Sequence, residues 1–338
     1  MLDYMKILFF YNEDWEKDYF EKRISQPFEV EFLKGRVQDH PDYKNKEAEI
    51  LSVFVASHVD ASVLDKFPNL KYITTRSTGF DHIDITEAKQ RGIVVSNVPN
   101  YGSVTVAEFA MALLLTVSRK IFPAYDQILE QGSFNKEKLR GFDLQGKKLG
   151  VLGTGKIGQH MIKLAKGFGM EVIAFDVHSD EGLAKELGFV YKSFDEVLVE
   201  ADVLTLHLPY NEHTHHILNK NAFAKMKERM VLINTSRGGV IETEALVEAL
   251  KNDIVQSAGL DVLEAEVYMG KELDLLRNEN STEEDVDTVL NNQYLIENPN
   301  VIITPHNAFN TQEALERIFD TTIENIQSFK REEVNNRV

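Results

Sequence analysis

Along this chain, short runs of apolar and β-branched residues alternate with longer stretches whose apolar positions recur every three or four residues. "KILFFY", "EVEFL", "ILSVFVA", "YITTRS" and "IVVSNVP" read as strands, each followed by enough chain for a helix. A second series starts at "KKLGVLGTGKIG" and runs through "EVIAFD", "VLTLHLP", "MVLINTS", "IVQSAGLDV" and "VIITPHN". Such alternation predicts parallel sheet with crossover helices, here an α/β protein of two doubly wound parallel-sheet domains. Between the series, "VTVAEFAMALLLTVSRK" at 104–120 predicts a long helix that is apolar on several faces. A helix of that kind has to be covered on most sides, in an interdomain core or a dimer interface. A last helix is expected from Thr311 to about Lys330.

Composition narrows the class. The 338 residues, 43% of them apolar, suffice for about two domains. The absence of cysteine removes disulfides and thiolate nucleophiles and fits a reducing, cytoplasmic compartment. "MLDYMKILFFYNEDW" lacks a basic leader, and the longest apolar stretch, "FAMALLLTV", is half of what a bilayer crossing needs. A formal net charge of −17 repels phosphate backbones and anionic lipid, so nucleic acid and membrane are excluded as expected partners. Much of the acid lies in "STEEDVD" at 281–287, which reads as a solvated face. A small anionic substrate is untouched by this argument, because a local arginine can reverse the field inside a pocket.

"LGVLGTGKIGQHMIKLAKGFGMEVIAFD" holds the first candidate chemistry. Gly153, Gly155 and Gly158 form G-x-G-x-x-G directly after an apolar strand and before an amphipathic helix, and the next strand ends in Asp176. A tight turn, close backbone approach to a pyrophosphate and free N–H groups at a helix start suit a dinucleotide. Asp176 would accept hydrogen bonds from the adenosine ribose hydroxyls. The rival is a methyltransferase binding S-adenosylmethionine, which also uses a glycine loop and a later acid. Asp176 would repel a 2′-phosphate and "VHS" after it offers no arginine, so NAD is favoured over NADP.

Three polar stations lie beyond the loop. "INTSRGG" places Arg237 just past an apolar strand, on the sheet edge where ligands bind, with a planar fork suited to a carboxylate or carbonyl. The plain alternative is a surface ion pair. "VIITPHNAF" puts His306 after another strand, its turn preset by Pro305; imidazole can pass a proton to an alkoxide near neutral pH, or simply bond to backbone. The histidines of "HTHH" at 213–216 resemble a metal cluster, but no acid or thiol stands at a suitable spacing, and a solvated loop is the better reading; no metal is expected. The third station is "AGLDVLEAE". In an extended chain Glu264 and Glu266 share a side and Asp261 faces the other. One acid could orient His306 while another contacts a cofactor, and spacing alone does not say which.

With these residues in place, the chain resembles the D-isomer-specific 2-hydroxyacid dehydrogenases, most closely their D-lactate dehydrogenase branch. The resemblance covers nearly the whole chain. It rests on "RSTGFDHID", "NVPNYGSVTVAEFA", "GVLGTGKIG", "LHLPYNEHTHHILN", "INTSRGGVIET", "GLDVLEAE" and "TPHNAF", seven blocks in the family order. It implies a flavodoxin-like substrate domain from 1–101 plus 306–338 and an inserted Rossmann NAD-binding domain from 102–305. It implies, too, that Arg237 binds the substrate carboxylate and polarises the keto oxygen. His306 is then general acid in reduction, Glu266 its partner, and Asp261 lies near the nicotinamide carboxamide.

The same match places Lys156 and Ile157 at the pyrophosphate, Asp176 at the ribose, and Pro209, Thr214 and Thr235 along the cleft. Backbone at Thr78 and Gly79 is expected to bind the substrate carboxylate, and Tyr101 to stand near the substrate. Glu264 is left as a bystander. Lys156 stands where an arginine is frequent, and Val267 where many relatives have proline. The acidic segment between Glu266 and His306 reads as an added helical excursion. Homodimers through the cofactor domain are the expected assembly, with the helix at 104–120 suited to the interface. The implied reaction is reduction of a small, pyruvate-like 2-keto acid by NADH. A glyoxylate or hydroxypyruvate reductase, a formate- or phosphite-type dehydrogenase, and a non-catalytic NAD-sensing protein resembling corepressors are the alternatives.

Overall fold

The computed structural model describes residues 4–24, 27–270, 275 and 282–338. The chain divides into two compact units, Met1–Tyr101 with Thr311–Val338, and Gly102–Asn310.

The smaller unit is built on five parallel strands: β1 (Met5–Tyr11), β2 (Phe28–Lys34), β3 (Ala48–Val53), β4 (Tyr72–Thr75) and β5 (Val94–Ser96), in the order β2-β1-β3-β4-β5. That order is the flavodoxin-like one. The uninterrupted apolar run of β1 follows from cover on both faces. Ile7 and Phe9 pack with Phe20 of the helix Asp14–Arg23 and with Phe319, Ile323 and Ile326 of the helix Gln312–Lys330. Leu8 and Phe10 face the opposite core, with Val63, Leu64 and Ala88.

The larger unit holds seven strands: β6 (Lys148–Leu152), β7 (Glu171–Phe175), β8 (Val190–Tyr191), β9 (Val203–Leu206), β10 (Met230–Asn234), β11 (Val255–Leu260) and β12 (Val301–Ile303). All pair in parallel, in the order β12-β11-β10-β9-β6-β7-β8. Strand order reverses between β6 and β9, the switch point where a crevice opens at the carboxyl ends of a dinucleotide-binding sheet. One face is covered by the helices Ser103–Arg119 and Lys156–Gly167, the other by Val197, Leu198, Phe223 and Leu246 from the remaining helices.

The apolar helix expected at 104–120 spans Ser103–Arg119 and buries Ala107, Met111, Leu114 and Val117 on the sheet of its own unit. Gly259 of β11 lets it lie close, since a Cβ there would stand 3.1 Å from that of Leu113. Val104 remains exposed on this helix, and the next one, Ile121–Gln131, exposes Ile121, Phe122, Tyr125, Ile128 and Leu129. One expectation changes here: the domain boundary falls after Asn310 rather than before His306. The β11–β12 pairing runs on past the strand ends: Thr304 N–H donates to Leu260 O at 2.9 Å and His306 N–H to Asp261 O at 2.8 Å. Those bonds hold His306 in the larger unit.

Of the acidic excursion, residues 271–274 and 276–281 lie outside the described residues. The rest forms the helix Glu283–Glu297, whose start is boxed by reciprocal bonds between Thr282 and Asp285. Among the described residues, no helix is long and apolar enough to cross a membrane.

Candidate active site

The glycine loop joins β6 to the helix Lys156–Gly167, and each glycine has its own reason. Gly153 has φ +94°, and a Cβ there would come within 2.5 Å of the His207 carbonyl oxygen. At Gly158 a Cβ would stand 2.1 Å from Gly153 O, so glycine is what lets helix and strand close up. Gly155, the cap residue, differs: a Cβ there would meet no protein atom within 4 Å. Open space over a helix start, with unpaired N–H groups facing it, is the cradle a pyrophosphate needs. Lys156 opens the helix exposed, and Ile157 packs beneath it.

Asp176, just past β7, turns onto this loop. Its carboxylate accepts Thr154 N–H at 2.7 Å, the Thr154 hydroxyl at 3.0 Å and His178 N–H at 2.9 Å. Burial alone would raise its carboxyl, but these donors outweigh burial and hold it below the usual carboxylate value. It therefore stays charged beside the cradle. Thr154 also meets the Tyr191 hydroxyl at 2.8 Å, a contact made through the two-residue strand β8, which is too short for periodicity to reveal.

Further along the switch edge, two buried polar atoms have no partner among the described residues: Thr235 Oγ1, after β10, and His207 Nδ1, after β9. Orphaned groups at neighbouring strand ends fit a polar ligand laid across them, and with the cradle and Asp176 they fit a dinucleotide. Pro209 and Thr214 are tied together by the Thr214 hydroxyl donating to Pro209 O at 2.6 Å.

Part of His207 reaches solvent, yet its Nδ1 is enclosed, and burial pushes the imidazole from 6.5 down to about 3. A histidine depressed in the folded state leaves the unfolded chain to bind the extra proton. Stability is therefore full above about 6.5 and is lost as pH falls towards 3. His207→Gln should reduce the pH slope of the unfolding free energy by up to about 1.4 kcal/mol per pH unit between pH 6 and 4. Urea unfolding of the ligand-free protein reads this, and an unchanged slope would contradict a neutral buried ring.

Arg237 begins a tight turn after β10. Asn234, wholly buried, donates from its side chain to Arg237 O at 2.9 Å and accepts from Ser236 N–H and hydroxyl at 3.0 and 2.8 Å. The arginine is half-buried, and its Nη1 also bonds Ser236 O at 2.8 Å. The turn runs so close to the next strand's exit that a Cβ at Gly238 would stand 2.0 Å from the carbonyl carbon of Leu263.

That exit carries the three acids, and the extended-chain reading of them is overturned. β11 stops at Leu260, and Ala265 takes a left-handed φ of +54°, so strand alternation does not reach the glutamates. Glu266 Oε1 lies 2.7 Å from His306 Nδ1. Glu264 turns elsewhere, to His216 Nε2 at 2.5 Å and the Thr243 hydroxyl at 2.8 Å. Asp261 is 0% exposed and binds the histidine's turn: its carboxylate accepts the Thr304 hydroxyl at 2.5 Å and the N–H groups of Asn307 and Ala308, both at 2.8 Å. Burial pushes this carboxyl above its usual value against the pull of those donors. His306 itself has φ +50°, a conformation a non-glycine residue keeps only where its surroundings over-determine it. Asp261 supplies that constraint.

The reading of "HTHH" as a solvated loop holds for the exposed His213 and His215, but His216 is drawn in by Glu264. Among the described residues, no group of three acids or histidines could hold a metal ion.

In the smaller unit, Thr78 and Gly79 sit on a loop whose carbonyls are occupied. Asn97 donates to Thr78 O at 2.7 Å and Ser77 to Gly79 O at 2.6 Å. Among the described residues, the N–H groups of Thr78 and Gly79 have no protein acceptor. Tyr101 is held by Arg317 Nε on its carbonyl at 2.7 Å.

Sequence reasoning missed Asn234, Thr154 and Thr304, which orient Arg237, Asp176 and Asp261. Their signal was position: each stands beside a strand end that also carries a candidate residue.

Residues 111–308 match the model of a family described as D-isomer specific 2-hydroxyacid dehydrogenase, NAD binding domain. The chain is 36% identical over 332 residues to the D-lactate dehydrogenase of Escherichia coli, across 97% of this chain and 98% of that one. It is also 36% identical over 298 residues to a glyoxylate reductase of Thermococcus litoralis, across 86% and 83%. Among solved structures, D-lactate dehydrogenase from Aquifex aeolicus, complexed with NAD and lactic acid, superposes with a TM-score of 0.82 at 34% identity over 96% of both chains.

Proposed function

The chain belongs to the D-isomer-specific 2-hydroxyacid dehydrogenases, NAD-dependent oxidoreductases acting on 2-hydroxy acids, and from that premise we propose a D-lactate dehydrogenase with His306 as proton donor. The observation that carries this reading is the 2.7 Å pair between His306 Nδ1 and Glu266. With Nδ1 committed to a carboxylate, the other ring nitrogen is left to serve the substrate.

NADH, when bound in the cradle, would supply the hydride for the carbonyl carbon. His306 gives its proton to the oxygen as charge develops there, and Arg237 holds the carboxylate and polarises the carbonyl. The free N–H groups of Thr78 and Gly79 take the substrate carboxylate, with Tyr101 near its side chain. On the cofactor side, Gly153, Gly155, Lys156, Ile157 and Gly158 hold the pyrophosphate and Asp176 the ribose, while Pro209, Thr214, Thr235 and Asp261 line the rest. The protein works as a cytoplasmic homodimer in which a second copy covers the exposed apolar residues of Ile121–Gln131.

Loss of NADH absorbance with pyruvate, phenylpyruvate, hydroxypyruvate, glyoxylate and 2-ketoisocaproate, followed by chiral analysis of the product, tests this. Turnover of pyruvate to D-lactate is expected. An L product, or no turnover of any of the five, would remove the reading. The likeness to a glyoxylate reductase supports the second reading, and preference for glyoxylate or hydroxypyruvate in the same panel selects it.

A further inference from the structure

Glu264 takes no part in the reaction above, yet three segments of the larger unit meet on it. Its side chain is 20% exposed and accepts His216 Nε2 at 2.5 Å, with the Thr243 hydroxyl at 2.8 Å and N–H at 3.3 Å on the other oxygen. Its carbonyl accepts the side-chain amide of Asn292 at 2.7 Å, a wholly buried residue on the helix Glu283–Glu297. Its amide nitrogen lies against the arginine turn, where a Cβ at Gly238 would approach it to 2.3 Å. His216 closes the circuit through its own backbone, donating N–H to Gly239 O at 2.9 Å.

Arg237 is thus one residue from the contact on one side, and Glu266 two residues from it on the other. Between Glu264 and Glu266 stands Ala265 in the left-handed region, and His216 shares that conformation at φ +49°. Non-glycine residues stay there only when neighbouring bonds hold them. The contact is mostly enclosed and ties the His216 loop directly to the exit of β11.

We propose that the Glu264–His216 pair is a positioning device that sets Arg237 and Glu266 relative to each other without touching substrate. Neither residue is assigned a role by the family reading, and the proposal rests on the catalytic roles given above to Arg237, Glu266 and His306. Misplacement of about 1 Å at a reacting group can lower the rate on the order of 100-fold, so a loosened turn should show itself in turnover.

The test compares Glu264→Ala, Glu264→Gln, His216→Ala and the Glu264→Ala/His216→Ala double variant, using the 2-keto acid the unaltered enzyme reduces best. Glu264→Ala and His216→Ala should each lower kcat roughly 10- to 100-fold, and the double variant should be no worse than the poorer single, as expected of residues acting as a unit. Glu264→Gln, which keeps one acceptor oxygen for His216 and offers an amide N–H that the Thr243 hydroxyl can accept, should recover most of the rate. The His306 ring-nitrogen signals, read by NMR in histidine-labelled protein, should move in Glu264→Ala and return in Glu264→Gln. A lower melting temperature with kcat, KM and His306 signals all unchanged would overturn the proposal and leave a structural pair only. Should Glu264→Ala not fold, His216→Ala, which spares the Thr243 bonds, decides by the same readouts. If the unaltered enzyme reduces no keto acid, the functional reading fails, and the His306 signals alone decide this one.

Discussion

Replacing His306 by glutamine should lower kcat for keto-acid reduction by about 10²- to 10⁴-fold, the range a positioned proton donor contributes. Glutamine can still bond Glu266, but it offers no proton to an oxygen becoming an alkoxide. The cradle around Gly155 and Asp176 is built from other elements, so NADH affinity should stay within about threefold, a limit set by the tendency of sites without shared partners to act independently. Single-turnover absorbance and NADH fluorescence titration separate the two effects. Glu266→Gln should lose less, because the imidazole remains and only its 2.7 Å partner changes. Rates unaffected by His306→Gln would mean that the proton comes from elsewhere, and the mechanism would fall.

Arg237→Lys should reduce kcat/KM by about 10²- to 10³-fold, comparable to removing a donor aimed at developing charge. The net charge is unchanged, so the loss would come from geometry. Lysine is a point charge without the planar fork that grips a carboxylate through two parallel bonds. Asn234 and Gly238 fix the backbone of this turn independently of the side chain, so the fold of the turn should survive the substitution. Melting temperature and NADH affinity close to the original, with kcat/KM collapsed, is the expected pattern. A variant that kept its kcat/KM would show that Arg237 does not hold the substrate.

The alternating runs announced both sheets, since parallel strands covered on two faces must be apolar without interruption, as Ile7 to Phe10 are. Gly153 and Gly158 were legible for a similar reason, as a tight turn and a close packing each exclude a side chain, while Gly155 leaves open the space over the helix start. What stayed hidden depended on tertiary geometry. Nothing in "DVLEAE" tells that β11 ends at Leu260 and that Ala265 turns left-handed, which is why alternation misassigned the glutamates. The pairing of Glu266 with His306 was available only through the resemblance. His216 could not be told from His213 and His215, because its partner lies 48 residues away in sequence. The apolar helix Ser103–Arg119 showed that it must be covered but not by what.

The boundary at Asn310 has a consequence at the level of the gene. Because the chain crosses between units only after Tyr101 and before Thr311, the glycine loop, Arg237, Glu266 and His306 are all encoded in one uninterrupted stretch. On the function proposed above, recombination at two points would carry the proposed reactive residues as a cassette and leave Thr78, Gly79 and Tyr101, proposed to face the substrate, with the recipient. Lineages could in this way acquire new acid preferences by exchanging the flanks while the inherited chemistry passed on intact.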